Sequence, residues 1–93
     1  MPYAVVNFVR IEDAEAADRA TNEVVLPRLR GLPGFAQATF LANEDGTRGF
    51  SVMVFESEEQ AQTMADRLGS GQVPNPPGLA FEHQEVWRVV ATG

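Results

Sequence analysis

The stretch FAQATFLANEDGTRGFSVMVF, residues 35–55, decides the fold. Phe35-Ala36-Gln37-Ala38-Thr39-Phe40-Leu41 and Gly49-Phe50-Ser51-Val52-Met53-Val54-Phe55 are rich in β-branched and aromatic residues, and Asn43-Glu44-Asp45-Gly46 between them carries turn chemistry. The pattern predicts two antiparallel strands joined as a hairpin. Upstream, Tyr3-Ala4-Val5-Val6-Asn7-Phe8-Val9-Arg10-Ile11 has the composition of a strand and is too short for a helix. Glu12 and Asp13 place negative charge at the start of a helical stretch, whose Ala14, Ala17, Thr21, Val24, Val25 and Leu29 recur at three-to-four spacing. Pro27 removes a backbone donor from that helix and is expected to kink it or distort its last turn before Gly31, with Leu32-Pro33-Gly34 closing it.

Downstream, Ser57 with Gln60 has the spacing of a capping box, and Ala61, Met64, Ala65 and Leu68 form the inward stripe of a second helix ending at Gly69. Ser70 to Gly78 is a loop rich in Gly and Pro, either a plain connector or a lid. Leu79 to Ala91 reads as a final long strand. The order is βαββαβ, which with right-handed crossovers predicts an α+β, ferredoxin-like domain: a four-stranded antiparallel sheet with two helices on one face.

That arrangement leaves one sheet face without helices. Both Val5 and Val6, and both Val52 and Met53, are apolar, so each face carries apolar side chains whichever way the register falls. A bare apolar face calls for a partner, and a second copy of the chain is the simplest one.

The 93 residues suit one domain with one core. Thirteen acidic residues against seven Arg and no Lys give a net charge of −6, which disfavours nucleic acid. The absence of Cys excludes disulfides, a thiol nucleophile and thiolate metal sites. No apolar run has the length of a membrane helix and Met1-Pro2-Tyr3 lacks the basic start of a secretion signal, so a cytoplasmic location away from membranes is expected.

The Val-rich opening strand through Asn7, the Leu32-Pro33-Gly34-Phe35 turn, the Phe55-Glu56-Ser57-Glu58-Glu59-Gln60-Ala61 junction and the closing Glu85-Val86-Trp87-Arg88-Val89-Val90 together resemble the dimeric α/β-barrel superfamily. Within it, they resemble the small antibiotic-biosynthesis-monooxygenase-like domains, over nearly the whole chain. The resemblance implies a homodimer and a range of activities: cofactor-independent oxygenation of quinol or anthrone rings, oxidative haem breakdown, isomerisation of small aromatics, and members with no assigned role. Asn7 looks like the strand-one Asn of the haem-degrading members. Their Trp and haem-ligating His lie elsewhere in the chain than Trp87 and His83, so haem is not expected here, nor any other cofactor.

Asn7 is the one polar side chain in the middle of an apolar strand: a donor to substrate oxygen or dioxygen, a structural hydrogen-bonding group, or a solvent-facing side chain. His83 is the one side chain with an unperturbed pKa near neutrality, suited to act as a general base, or else a surface or interface His. Trp87 shares a strand face with His83 and Glu85 and is a stacking surface for an aromatic substrate, or else part of the core or of an interface. Tyr3, on the face of Asn7, is placed to donate its hydroxyl into the same cavity. His83 with Glu85 supplies two metal ligands where three or four are needed, so no metal site is expected. Two functions follow. One is a small monooxygenase acting on a reduced aromatic ring, with Asn7 and His83 as catalytic residues and Tyr3 and Trp87 in contact with substrate. The other is a non-catalytic homodimer that binds a small apolar ligand or serves a stress or housekeeping role.

Overall fold

The computed structural model describes residues 1–93. Its elements are β1 (Tyr3–Ile11), α1 (Ala14–Ala20), a π-helical turn (Thr21–Val25), α2 (Leu26–Arg30), β2 (Phe35–Ala42), β3 (Arg48–Phe55), α3 (Glu58–Gly69) and β4 (Leu79–Arg88). The four strands form one antiparallel sheet in the order β2-β3-β1-β4. This is the expected α+β, ferredoxin-like arrangement. The last strand stops at Arg88, three residues short of the expected Ala91, and the final backbone bond joins Val89 N–H to the Pro2 carbonyl.

The first helix starts where Asp13 caps it, the carboxylate accepting from Ala16 N–H at 3.1 Å. The distortion expected from Pro27 falls one turn upstream of it. Thr21–Val25 widens into a π turn, in which Leu26 N–H bonds the carbonyl of Thr21, five residues back. A proline ring clashes with the carbonyl four residues before it, and a wider turn moves that carbonyl aside. In α3, Ser57 Oγ accepts from Gln60 N–H at 3.3 Å, which is half of a capping box. Gln60 does not complete it: its Oε1 is buried without a partner, beneath the Leu32–Gly34 turn.

Register decides which apolar residues face the helices. Val5, Asn7 and Val9 of β1 and Ser51, Met53 and Phe55 of β3 are buried on the helix side. There Val5, Met53 and Phe55 join Leu29, Ala61, Ala65 and Leu68 in the core. The residues between them, Val6, Phe8, Phe50 and Val52, fall on the helix-free face. That face also carries Leu41 of β2 and Trp87 of β4, Trp87 being 58 % exposed. Both faces are therefore apolar, as the sequence pattern requires.

No helix is long and apolar enough to cross a membrane.

Candidate active site: a cavity between helix and sheet

The first helix stands off the sheet, and a cavity of about 760 Å³ opens between them. Its walls are apolar: Val9, Ile11, Met53 and Phe81 from the sheet, and Val24, Val25 and Leu29 from the helical segment. Residues 73–77 close one side. Part of the 70–78 loop is thus a wall of the cavity, and its C-terminal half is anchored. Gly78, at φ +82°, accepts Glu12 N–H at 2.8 Å and Asp13 N–H at 3.3 Å, and a Cβ there would run into the Asp13 carbonyl. Asn75 Oδ1 accepts Phe81 N–H at 3.0 Å, next to the register shift that leaves Glu82 as the extra residue of β4.

Two polar side chains sit together on the floor. Asn7 and Ser51 are direct partners in the β1–β3 pair, each only 4 % exposed, and both line the cavity. Asn7 Oδ1 accepts from Gln84 Nε2 at 2.9 Å. Asn7 Nδ2 and Ser51 Oγ have no protein partner, so both donors are available to a ligand. Asp18, Arg28 and Arg67 are the charged residues of the lining.

Of the residues singled out from the sequence, Asn7 alone lines this cavity. Tyr3 has the parity expected, on the same side of β1, but its ring packs against the core and does not reach the cavity. His83 and Trp87 lie on the other face. Asn7 pairs with Gln84 and Phe8 with His83, so one step along the strands reverses the side on which the side chain projects. A catalytic pair of Asn7 with His83 in one cavity is therefore corrected by the register, and so is substrate stacking by Trp87 beside Asn7.

His83 belongs instead to a surface cluster. Glu85 accepts from Trp87 Nε1 at 2.8 Å and lies 2.8 Å from His83 Nε2, and the His83 ring stacks on Phe8 at 5.8 Å. The hydrogen bond from His83, then that from Trp87, holds the Glu85 carboxyl below its ordinary value.

The sequence alone does not mark Ser51 or Gln84. Each is a polar residue within a strand that reads as apolar or mixed, and only the pairing with Asn7 sets them apart from solvent-facing residues.

A four-stranded antiparallel sheet of this topology, with helices on one face, is shared with several solved oxygenase structures. The structure is similar to that of SnoaB, a cofactor-independent oxygenase from Streptomyces nogalater, with a TM-score of 0.65 at 15 % identity, covering 98 % of this chain and 95 % of SnoaB. It is also similar to the monooxygenase ActVA-Orf6 of Streptomyces coelicolor, in complex with nanaomycin D, with a TM-score of 0.57 at 20 % identity, over 98 % and 88 % of the two chains. Rv0793 from Mycobacterium tuberculosis gives a TM-score of 0.58 at 17 % identity, over 99 % and 98 %. At these identities the likeness is one of fold. No protein-family model and no curated protein matches the sequence.

Proposed function

We propose that the chain is a cofactor-independent monooxygenase of a reduced aromatic ring, of quinol or anthrone type, working as a homodimer. The observation that carries this reading is the cavity itself: apolar, of about 760 Å³, with the Asn7 amide and Ser51 hydroxyl side by side on its floor. That volume lies in the range of small-molecule sites and accommodates a fused-ring ligand. Its likeness in fold to SnoaB and ActVA-Orf6 supports the same reaction class.

The chemistry balances without a redox group. Loss of a proton from the ring CH₂ of an anthrone gives an anion, which reduces dioxygen and joins it to form a C–O bond. Loss of water from the hydroperoxide leaves a ring carbonyl, so substrate CH₂ plus O₂ becomes C=O plus H₂O. All the electrons come from the substrate. The protein excludes water from the ring, and Asn7 Nδ2 and Ser51 Oγ donate to the oxygen on which the anion's charge collects. With His83 on the far face, the proton passes to water at the cavity mouth.

The partner is a second copy seated on the helix-free face, where Leu41, Phe50 and Trp87 are otherwise exposed and Phe8 and Val52 half-buried. Each apolar Å² withdrawn from water there contributes roughly 25 cal/mol.

An oxygen electrode tests the activity. Purified protein with anthrone, and with no added metal or flavin, is expected to consume dioxygen and release the ring ketone. One observation favours the second reading, a homodimer that binds an apolar ligand without transforming it: no histidine lines the cavity to act as a base. Tight binding of anthrone with no dioxygen uptake establishes that reading instead.

A further inference from the structure

Three polar side chains cross the helix-facing side of the sheet at one level. Gln84 of β4 stands opposite Asn7 of β1, which stands opposite Ser51 of β3. The residues two places away on each strand are apolar on at least one side: Val5 and Val9, Met53, Val86. A side-chain amide can turn either end toward a cavity, because its oxygen accepts and its nitrogen donates. Asn7 cannot choose freely here. Gln84 Nε2 donates to its Oδ1 at 2.9 Å, and this leaves Nδ2 as the group offered to a ligand. Helix α3 ends at Gly69, where a Cβ would come within 3.2 Å of Gln84 Oε1, so the bare glycine makes room for the amide.

We infer that Gln84 is a positioning residue which fixes the polarity of Asn7, and that the cavity thereby selects ligands presenting a hydrogen-bond-accepting oxygen, such as a ring ketone or its enolate. This rests on the ring-oxygenation reading for the site in which it acts. A ring without such an oxygen leaves Asn7 Nδ2 and Ser51 Oγ buried and unpaired, and an unmade buried hydrogen bond is costly. Two donors at adjacent register positions also suit an oxygen whose negative charge grows during reaction.

The experiment compares anthrone with anthracene, two rings of the same frame of which only anthrone carries an accepting oxygen, by calorimetric titration under nitrogen. The parent protein is expected to bind anthrone about tenfold more tightly, the worth of one net hydrogen bond. In Gln84→Glu the carboxylate only accepts, so Asn7 turns Nδ2 toward it and presents Oδ1 to the cavity. The preference for anthrone should vanish at neutral pH and return as acid protonates Glu at position 84, which then donates as Gln84 does. Gln84→Met should weaken the preference equally at every pH, a difference that loss of packing alone does not produce. In ligand-free Gln84→Glu, the Asn7 side-chain amide followed by nitrogen-resolved NMR should titrate with the new carboxyl. Equal affinity of the parent for the two rings overturns the inference, as does an Asn7 amide indifferent to that titration. A parent that prefers anthrone yet consumes no dioxygen sustains the positioning role and removes the oxygenase reading alone.

Discussion

Asn7 and His83 lie on adjacent strands, one register step apart, and project from opposite faces of the sheet: Asn7 is buried toward the helices, and His83 is stacked on Phe8 in solvent. Their substitutions should therefore behave differently. Asn7→Ala is expected to lower anthrone turnover by roughly 10²–10³, the usual loss when one oriented donor to a developing oxyanion is removed. His83→Ala should leave both the rate and its pH profile unchanged. Oxygen-electrode assays of the two folded variants across pH 5–9 measure this, and a His83→Ala profile displaced from the parent's would restore His83 to the reaction.

The helix-free face should be the dimer contact. Val52→Asp puts a charge at its centre without touching the helix-side core, so it is expected to yield folded monomer of about 10 kDa, where the parent gives about twice that mass. Light scattering at micromolar concentration decides it, and a monomeric parent refutes the proposed partner.

On the helix side, Phe55 is 2 % exposed and meets the Phe35 ring edge-on at 5.9 Å. Phe55→Ala should cost about 3–5 kcal/mol. Against the roughly 5–15 kcal/mol that separates folded from unfolded domains, the denaturant midpoint of Phe55→Ala should fall sharply below the parent's.

The hairpin turn carries a pH dependence. Asp45 accepts from the hydroxyl of Thr47, and from its N–H at 3.1 Å, and these bonds lower its carboxyl below 3.8. A carboxyl whose folded pKa is depressed favours folding above its unfolded value, and the contribution disappears as pH falls through the folded value. Asp45→Asn keeps the accepting oxygen and removes the charge. It should melt slightly below the parent at pH 7, with the gap closing below pH 4. A gap that stays constant to pH 2 would mean that the charge plays no part.

Much of the fold is legible in the sequence because it rests on local signals. The Asn43–Gly46 turn, the Ser57 cap and the alternation of β1 each identify their element without reference to the others. The site is less legible because it depends on pairing. Asn7 stands out as a polar interruption, but Ser51 and Gln84 acquire meaning only as its neighbours across the sheet. His83 misleads for a definite reason. Parity counted along β4 alone does not say which of its faces belongs to the helices, and only the pairing of Asn7 with Gln84 puts His83 on the other one.

The π turn at Thr21–Val25 amounts to one surplus residue in a helix. Ala17 and Leu29 are both buried, yet twelve positions of ordinary α-helix would leave them about 120° apart around the axis, whereas eleven would leave about 20°. Deleting one residue from this turn would thus preserve the helix's inward face while withdrawing part of the cavity wall, since Thr21, Asn22, Val24 and Val25 all line it. The width of the chamber can in this way change by a single codon, with the core left in phase.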